Sequence, residues 1–220
     1  MLKGVIFDMD GVLFDTERLT LEGWRLAARQ AGCPLDDAVV LSTNGISEAD
    51  TRLTFLRHYG EAYPYDALRA EMKRYKDGCL AQGVPVKPGV QRLLQALREK
   101  GIRTAVASSN DRVHVTDYLQ RTGLLLQMDA FVCADMVRQA KPAPDVYLRA
   151  AEALGLPPET CIAIEDAPPG LVAARCAGCI PVMIPDLIPA SAQDVTKHIF
   201  PSMDALLTYL QAHAFGICLS

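Results

Sequence analysis

Short apolar segments alternate along the chain with longer segments in which apolar residues recur every three or four positions. The short segments are mostly apolar and rich in β-branched residues, as in strands that are buried on both faces. They are Val5–Phe7, Arg103–Ala107, Ala130–Val132, Cys161–Ile164 and Pro181–Ile184. The longer segments have helical periodicity. This order predicts an α/β fold, a doubly wound (Rossmann-like) parallel sheet with helices on both faces.

The alternation is interrupted between the first and second predicted strands. This interval contains no convincing buried strand but has three segments with helical patterning: Glu17–Ala31, Ser47–Tyr59 and Asp66–Leu80. The segment that follows carries Gly83, Pro85 and Pro88, which are typical of a linker. We therefore expect an α/β core formed by residues 1–15 and 82–220, with residues 16–81 inserted as a small helical cap.

Composition narrows the possible functions. Half of the 220 residues are apolar and the formal net charge is −4, so a basic nucleic-acid surface is not expected. No segment approaches the roughly 20 consecutive apolar residues of a membrane span, and the N-terminal apolar run is too short for a signal peptide. The seven scattered cysteines are typical of reduced thiols packed in a core. We expect a cytoplasmic protein, a monomer or weak homodimer.

Two pairs of carboxylates follow predicted strands. Asp8 and Asp10 come directly after the first strand, and Glu165 and Asp166 end the fourth. Side chains at positions i and i+2 of an extended backbone point the same way, and the carboxyl ends of parallel strands meet at one edge, where ligands bind. The first pair alone is equally consistent with a polar strand end that caps a turn at Gly11.

A hydroxyl and a lysine are predicted at the same edge. Ser108, Ser109 and Asn110 follow the second strand just before a helix, where backbone N–H groups bind anions, although an ordinary helix cap has the same pattern. Lys141 lies between prolines in a loop before another helix. Clustered carboxylates with a lysine suit Mg²⁺ together with a phosphate group.

These segments, in this order, resemble the four motifs of the haloacid dehalogenase superfamily. The motifs are Phe7–Val12, Ala107–Asn110, Lys141–Asp145 and Ile164–Gly170. The resemblance covers essentially the whole chain and is closest to the phosphatase and β-phosphoglucomutase-like subfamily, which has a helical cap after its first strand. It departs at Ala167, where the family usually has Ser or Thr, and at the pair Pro168 and Pro169.

The resemblance implies a role for each motif residue. Asp8 would be the nucleophile that forms an aspartyl phosphate, and Asp10 the general acid and base. Ser108, Ser109, Asn110 and Lys141 would bind the phosphoryl oxygens. Asp8, the backbone carbonyl of Asp10, and Asp166 would bind Mg²⁺, with Glu165 either a ligand or a partner of the ligands.

The resemblance further implies a Mg²⁺-dependent phosphatase that acts on a small phosphorylated metabolite, with sugar phosphates as the leading class. A phosphosugar mutase of the β-phosphoglucomutase type is the alternative. Trp24 matches that enzyme, but Thr20 stands where the mutase has a cap histidine and Glu48 where it has a phosphate-binding arginine. We expect a carboxylate at position 48 to repel a second phosphate, which favours the phosphatase.

Two unrelated classes fit less well. A sugar-nucleotide transferase with an acidic metal-binding motif needs a nucleotide-binding half before that motif, and only seven residues precede Asp8. A receiver domain uses a similar Asp, Ser and Lys set, but its phosphorylated Asp ends the third strand. Here the equivalent carboxylate, Asp8, ends the first.

Overall fold

The first strand of the chain lies at the centre of a five-stranded parallel sheet. The structure is a computed structural model that describes residues 2–187, 195–213 and 215. Within this part of the chain the strands are β1 Gly4–Phe7, β2 Arg103–Ala107, β3 Ala130–Val132, β4 Cys161–Glu165 and β5 Ile180–Met183. Their order is β3-β2-β1-β4-β5. The predicted doubly wound α/β fold is confirmed.

The helices of the core cover both faces of this sheet. They are α5 Val90–Glu99, α6 Arg112–Arg121, α7 Asp145–Leu154, α8 Pro168–Cys176 and α9 Met203–Ala212. Val5 and Phe7 belong to the hydrophobic cluster under α5, α6 and α9. Ile6 belongs to the cluster under α7 and α8. Successive strand residues thus face opposite layers, which explains why the central strand is apolar without alternation.

The helices α1 Thr16–Ala31, α2 Asp37–Leu41, α3 Glu48–Tyr59 and α4 Tyr65–Gln82 form the inserted part of the chain. They have a hydrophobic cluster of their own, which includes Trp24, Phe55 and Tyr65. The sequence predicted three helices here and missed α2, because a five-residue helix is too short to show a period. The side chain of Asp36 caps it by accepting a hydrogen bond from the Ala38 N–H at 2.9 Å.

Backbone hydrogen bonds join the two segments that connect the inserted helices to the sheet. The N–H of Asp15 donates to the carbonyl of Pro85 at 2.9 Å, and the N–H of Lys87 donates to that of Leu13 at 2.8 Å. The inserted helices start and end within one residue of the boundaries expected at 16 and 81. The division into a core and a cap remains a prediction.

The cysteines only partly follow the expectation of core residues. Cys133, Cys161 and Cys179 are buried, whereas Cys176 is exposed at the end of α8, and Cys218 lies outside the described residues. Cys176 and its neighbour Arg175 are exposed, whereas Ala173 and Ala174 on the same helix are buried. None of the described helices has both the length and the apolar character of a membrane-spanning helix.

Candidate active site

The predicted carboxylates meet at the C-terminal edge of the sheet, below the inserted helices. The backbone N–H of Asp8 donates to the carbonyl of Ile164 at 2.9 Å, which extends the pairing of β1 with β4 to the first carboxylate. A cavity of about 400 Å³ lies between this edge and α1, α3 and α4. Asp8, Asp10, Glu165 and Asp166 all line it, as the strand ends predicted.

Lys141 is buried at the base of this site and donates three hydrogen bonds. Its Nζ lies 2.5 Å from Oδ1 of Asp8, 2.7 Å from Oε1 of Glu165 and 3.0 Å from the carbonyl oxygen of Ala107. These are all the donors that an ammonium group has. Burial alone lowers the pKa of Lys141, but the charges of Asp8 and Glu165 outweigh burial and raise it. Lys141 is therefore a fixed cation beside the predicted nucleophile.

Tyr147 is a site residue that the sequence did not reveal. Its hydroxyl donates to the same Oε1 of Glu165 that accepts from Lys141. In the sequence Tyr147 belongs to the apolar stripe of α7, and its ring is indeed fully buried. The apolar period of a helix predicts that the tyrosine ring is buried, but it does not predict which group its hydroxyl contacts. Tyr147 and Lys141 together hold Glu165 in place.

Asp10 is held apart from Lys141 by a different set of partners. Its Oδ1 accepts from the hydroxyl of Thr16, and its Oδ2 accepts from the side-chain amide of Asn110. Nζ of Lys76 on α4 lies 3.9 Å from Oδ1 of Asp10. Thr16 and Lys76 were not predicted as site residues, because their pairing with Asp10 depends on how the inserted helices return to the sheet.

The loop after β2 is arranged differently from the simple phosphate site that the sequence predicted. Ser109 and Asn110 line the cavity, but the Asn110 amide is directed to Asp10, since a carboxylate is within its reach. Ser108 is buried beside the cavity, and its hydroxyl accepts from the Asn110 backbone N–H at 3.1 Å. Phosphate binding by Ser108, Ser109 and Asn110 stays a prediction, with Asn110 also positioning Asp10.

Asp8, Glu165 and Asp166 form a buried group in which one carboxylate oxygen of each residue lies within 4.8 Å of the other two. Three carboxylates against one ammonium leave a formal charge of −2. Burial, and then the charges of Asp8 and Glu165, raise the pKa of Asp166 well above its usual value. Burial also raises the pKa of Asp8, although Lys141 opposes this shift. A divalent cation would offset the excess charge, so these residues fit one.

The geometry separates the roles of these three carboxylates. Oε1 of Glu165 already accepts two hydrogen bonds, whereas Asp166 accepts none from the described residues. The side chain of Asp10 is outside the group, consistent with the expectation that only its backbone carbonyl would bind metal. Asp8 and Asp166 are the side chains best placed to hold the cation, with Glu165 supporting Lys141.

The cap side of the cavity corrects one argument made from the sequence. Thr20 and Glu48 both line it. The Glu48 carboxylate, however, forms an ion pair with Arg69 of α4, at 2.5 Å between Oε2 and NH2. It is therefore not an isolated negative charge. The pairing was missed because it joins residues 21 positions apart on two helices.

Glu17 is a further carboxylate in the cavity wall, and the sequence analysis gave it no role. It is partly buried and makes no hydrogen bond or ion pair with a described residue. Burial, and next the charge of Asp10, raise the pKa of Glu17 to about 7. The charge of Lys76 opposes this shift but does not cancel it.

A comparison with known protein families shows which family has this arrangement of site residues. A sequence model described as haloacid dehalogenase-like hydrolase matches residues 2–178. The chain belongs to this family. The predicted family resemblance is confirmed. The matched region of this hydrolase runs from before β1 to just after α8 and includes all four motifs.

Relatives of this hydrolase include proteins with three different names. Protein CbbY from Rhodobacter capsulatus is 34% identical over 84% of this chain and 86% of that protein. Hexitol phosphatase A from Escherichia coli is 29% identical over 93% of this chain and 98% of that protein. β-Phosphoglucomutase from Bacillus subtilis is 30% identical over 89% of this chain and 92% of that protein.

Solved structures agree with this assignment of the hydrolase. CbbY from Rhodobacter sphaeroides, solved in complex with xylulose-(1,5)bisphosphate, matches with a TM-score of 0.75 and 26% identity over 92% of this chain and 95% of that chain. A β-phosphoglucomutase from Clostridium difficile matches with a TM-score of 0.79 over 96% of both chains, and its 24% identity shows the shared fold.

The environment of Glu17 generates a prediction about stability in this hydrolase. Because its pKa is raised from 4.5 to about 7, the native state keeps a proton that the unfolded state releases as pH rises. The wild-type protein should therefore lose stability between these pH values relative to Glu17→Gln, which does not titrate. In protein free of divalent cations, we expect the variant to be more stable by on the order of 1–2 kcal/mol at pH 8, with little difference near pH 5.

Denaturant unfolding at both pH values measures this difference. The control is Glu61→Gln, because Glu61 is an exposed glutamate of the inserted segment. Its stability difference from the wild type should be the same at both pH values. An equally flat difference for Glu17→Gln would contradict the retention of a proton by the partly buried Glu17.

Proposed function

We propose that this hydrolase is a Mg²⁺-dependent phosphatase that cleaves a small phosphorylated metabolite, with sugar phosphates as the leading class, through an aspartyl phosphate. Its relatives support placing it among the phosphoric monoester hydrolases of the superfamily. The observation that carries the proposal is that Asp8 and Asp10 open on one cavity but have different partners. Lys141 bonds to Asp8 and favours its carboxylate form against burial, and Thr16 with Asn110 orients Asp10.

In the proposed reaction the free oxygen of Asp8 attacks phosphorus, and the bond to the leaving alcohol breaks. Asp10 gives its proton to the alcohol oxygen and later takes one from the water that hydrolyses the aspartyl phosphate. Lys141 offsets the negative charge of Asp8, so that the carboxylate can approach an anionic phosphate. When bound by Asp8 and Asp166, Mg²⁺ would supply positive charge to the phosphoryl oxygens.

The cavity also supports the proposal of a small substrate. At about 400 Å³ it is lined by α1, α3 and α4 as well as by the sheet edge, and this volume suits a small molecule. We propose no nucleic-acid or membrane partner, and also a cytoplasmic location and a monomer or weak homodimer. Comparison of phosphate release across a panel of phosphorylated metabolites tests the substrate class.

The mutase remains a second candidate because a named β-phosphoglucomutase is among the relatives and because Arg69 lines the cavity. The two activities differ in the acceptor of the phosphoryl group, which is water in one and a sugar hydroxyl in the other. The Thr20 hydroxyl donates to the Thr16 carbonyl at 3.1 Å and cannot replace an imidazole as a proton carrier. We favour water as the acceptor.

We predict that free phosphate is the main product from β-glucose 1-phosphate, if that sugar phosphate is turned over. The enzyme is incubated with this substrate, Mg²⁺ and catalytic glucose 1,6-bisphosphate, and both glucose 6-phosphate and free phosphate are followed. Rapid formation of glucose 6-phosphate with little free phosphate would establish the mutase instead.

We predict that a chelator abolishes turnover of an aryl phosphate and that added Mg²⁺ restores it, because buried Asp8 and Asp166 need a cation to act as anions. Ca²⁺ should fail to restore activity, since its coordination is larger and looser.

Asp166→Asn should raise the Mg²⁺ concentration for half-maximal activity about tenfold or more. The control is Asp204→Asn, whose side chain pairs with Arg92 on the surface. Full activity in excess chelator would contradict the metal assignment.

We predict different defects for the two motif aspartates. Asp8→Asn should have no turnover and should form no covalent adduct, because an amide is not nucleophilic. Asp10→Asn should still be phosphorylated by an aryl phosphate with a good leaving group, but its adduct should accumulate because the base for hydrolysis is missing.

Intact-mass measurement after mixing with the ester and Mg²⁺ distinguishes these two outcomes. Each variant is the matched control of the other, since both replace a carboxylate by an amide of nearly the same shape. A phosphate adduct on Asp8→Asn would show that another residue is the nucleophile.

A further inference from the structure

The hydroxyl group of Tyr147 has a partner in the active site but no part in the proposed reaction. Tyr147 is fully buried in the first turn of α7 and is not among the residues that line the cavity. A buried tyrosine needs a hydrogen-bond partner in any protein. Here the partner is Glu165, the carboxylate that shares Lys141 with Asp8.

The ring of Tyr147 is placed by the same segment of chain that carries Lys141. Lys141 lies in the loop before α7, and the N–H of Tyr147 donates to the carbonyl of Pro144 in that loop at 3.0 Å. Nζ of Lys141 lies 5.2 Å from the centre of the Tyr147 ring, and a cation is attracted to the face of an aromatic ring at that distance. Tyr147 therefore contacts Lys141 with its ring and acts on it through Glu165 with its hydroxyl.

The carboxylate of Glu165 is confined to the position where its two donors meet. It is 2% exposed, and a Cβ on Gly170 would lie 1.9 Å from its Oε1 and 2.4 Å from its Oε2. Glu165 is therefore packed closely against the backbone of α8. The strength with which it attracts Lys141 then depends on how much of its hydrogen-bonding capacity Tyr147 takes up.

Two carboxylates compete for the single ammonium group of Lys141. Its Nζ lies 2.5 Å from Oδ1 of Asp8 and 2.7 Å from Oε1 of Glu165. An oxygen that accepts from a second donor binds the first less strongly, because its negative charge is shared between them. The hydroxyl of Tyr147 thus weakens the attraction of Glu165 for Lys141 and leaves the ammonium closer to Asp8.

We propose that Tyr147 is a positioning residue for the transfer of the phosphoryl group to Asp8. By donating to Glu165 it keeps Lys141 on Asp8, which aligns the free carboxylate oxygen for attack on phosphorus. This inference rests on the proposed phosphatase function. Tyr147 itself forms and breaks no covalent bond, and it does not touch the substrate. Its hydroxyl should therefore affect the rate of attack and not the affinity for phosphate.

The first test replaces Tyr147 by phenylalanine, which keeps the buried ring and removes only the hydroxyl. With p-nitrophenyl phosphate and saturating Mg²⁺, we expect kcat of Tyr147→Phe to fall about tenfold or more. The inhibition constant of inorganic phosphate and the Mg²⁺ concentration for half-maximal activity should each stay within about twofold of the wild type. In an Asp10→Asn background, where the adduct should accumulate, intact-mass measurement should show that Tyr147→Phe slows adduct formation by the same factor as kcat.

The matched control is Tyr63→Phe. Tyr63 is another buried tyrosine, and its hydroxyl donates to the carbonyl of Pro34 at 2.8 Å within the inserted segment. This variant also loses a hydrogen bond and should lose stability, but it should keep the wild-type kcat. Wild-type kcat and adduct rate in Tyr147→Phe would overturn the inference. So would a tenfold change in the Mg²⁺ requirement, which would assign the hydroxyl to the metal-binding group.

A second pair of variants tests whether the hydroxyl acts through the charge of Glu165, and it remains informative if Tyr147→Phe alone does not fold. In Glu165→Gln the competing charge is absent, so adding Tyr147→Phe should change the adduct rate less than about twofold. A further tenfold loss there would show that the hydroxyl acts on the fold instead, and would overturn the inference. If the wild type releases no phosphate from p-nitrophenyl phosphate or from the metabolite panel, the phosphatase proposal itself fails.

Discussion

The buried ammonium of Lys141 is the constraint on which the site depends. It bonds to Asp8 after β1, to the Ala107 carbonyl at the end of β2, and to Glu165 at the end of β4. A charge in this position without its partners would be costly by several kcal/mol, so the ends of the three central strands and the lysine loop must assemble together. The parallel register of the sheet and the balance of charge around Asp8 are thus linked through one side chain.

Glycine makes the space that the carboxylates need. A Cβ on Gly11 would lie 2.2 Å from Oδ2 of Asp166, and Gly11 also has a positive φ of 77°. A Cβ on Gly170 would lie 1.9 Å from Oε1 of Glu165. Both contacts are far shorter than a van der Waals distance. Gly11 of the first motif thus makes room for an acid of the fourth, and Gly170 makes room for an acid of its own motif. These glycines are needed for close approach, and Gly11 for its backbone conformation as well.

The sequence predicted the strands well because buried parallel strands are apolar on both faces and short. It also predicted that the acidic residues lie at one edge of the sheet, because the carboxyl ends of parallel strands all lie at that edge. It did not predict Tyr147, whose hydroxyl is hidden in an apolar stripe, or the hydrogen bonds of Asp10 to Thr16 and Asn110. These contacts join segments distant in the chain, and no local period encodes them. The same holds for α2, which is shorter than the pattern that would reveal it.

The pairing of Glu48 with Arg69 changes the reason for favouring water as the acceptor. From the sequence, Glu48 was an isolated charge that would repel a second phosphate. In the structure the cavity does hold cations, but Arg69 and Lys73 already have carboxylate partners at 2.5 and 2.8 Å. A second phosphate would have to displace a carboxylate from the guanidinium, exchanging one charge-assisted pair for another with little net gain. Under the proposed function, competition among the inserted helices, rather than repulsion by one residue, would make a bisphosphate intermediate hard to retain; Lys76, whose Nζ lies 3.9 Å from Oδ1 of Asp10, is the cation of this wall that such a phosphate would meet with the least competition.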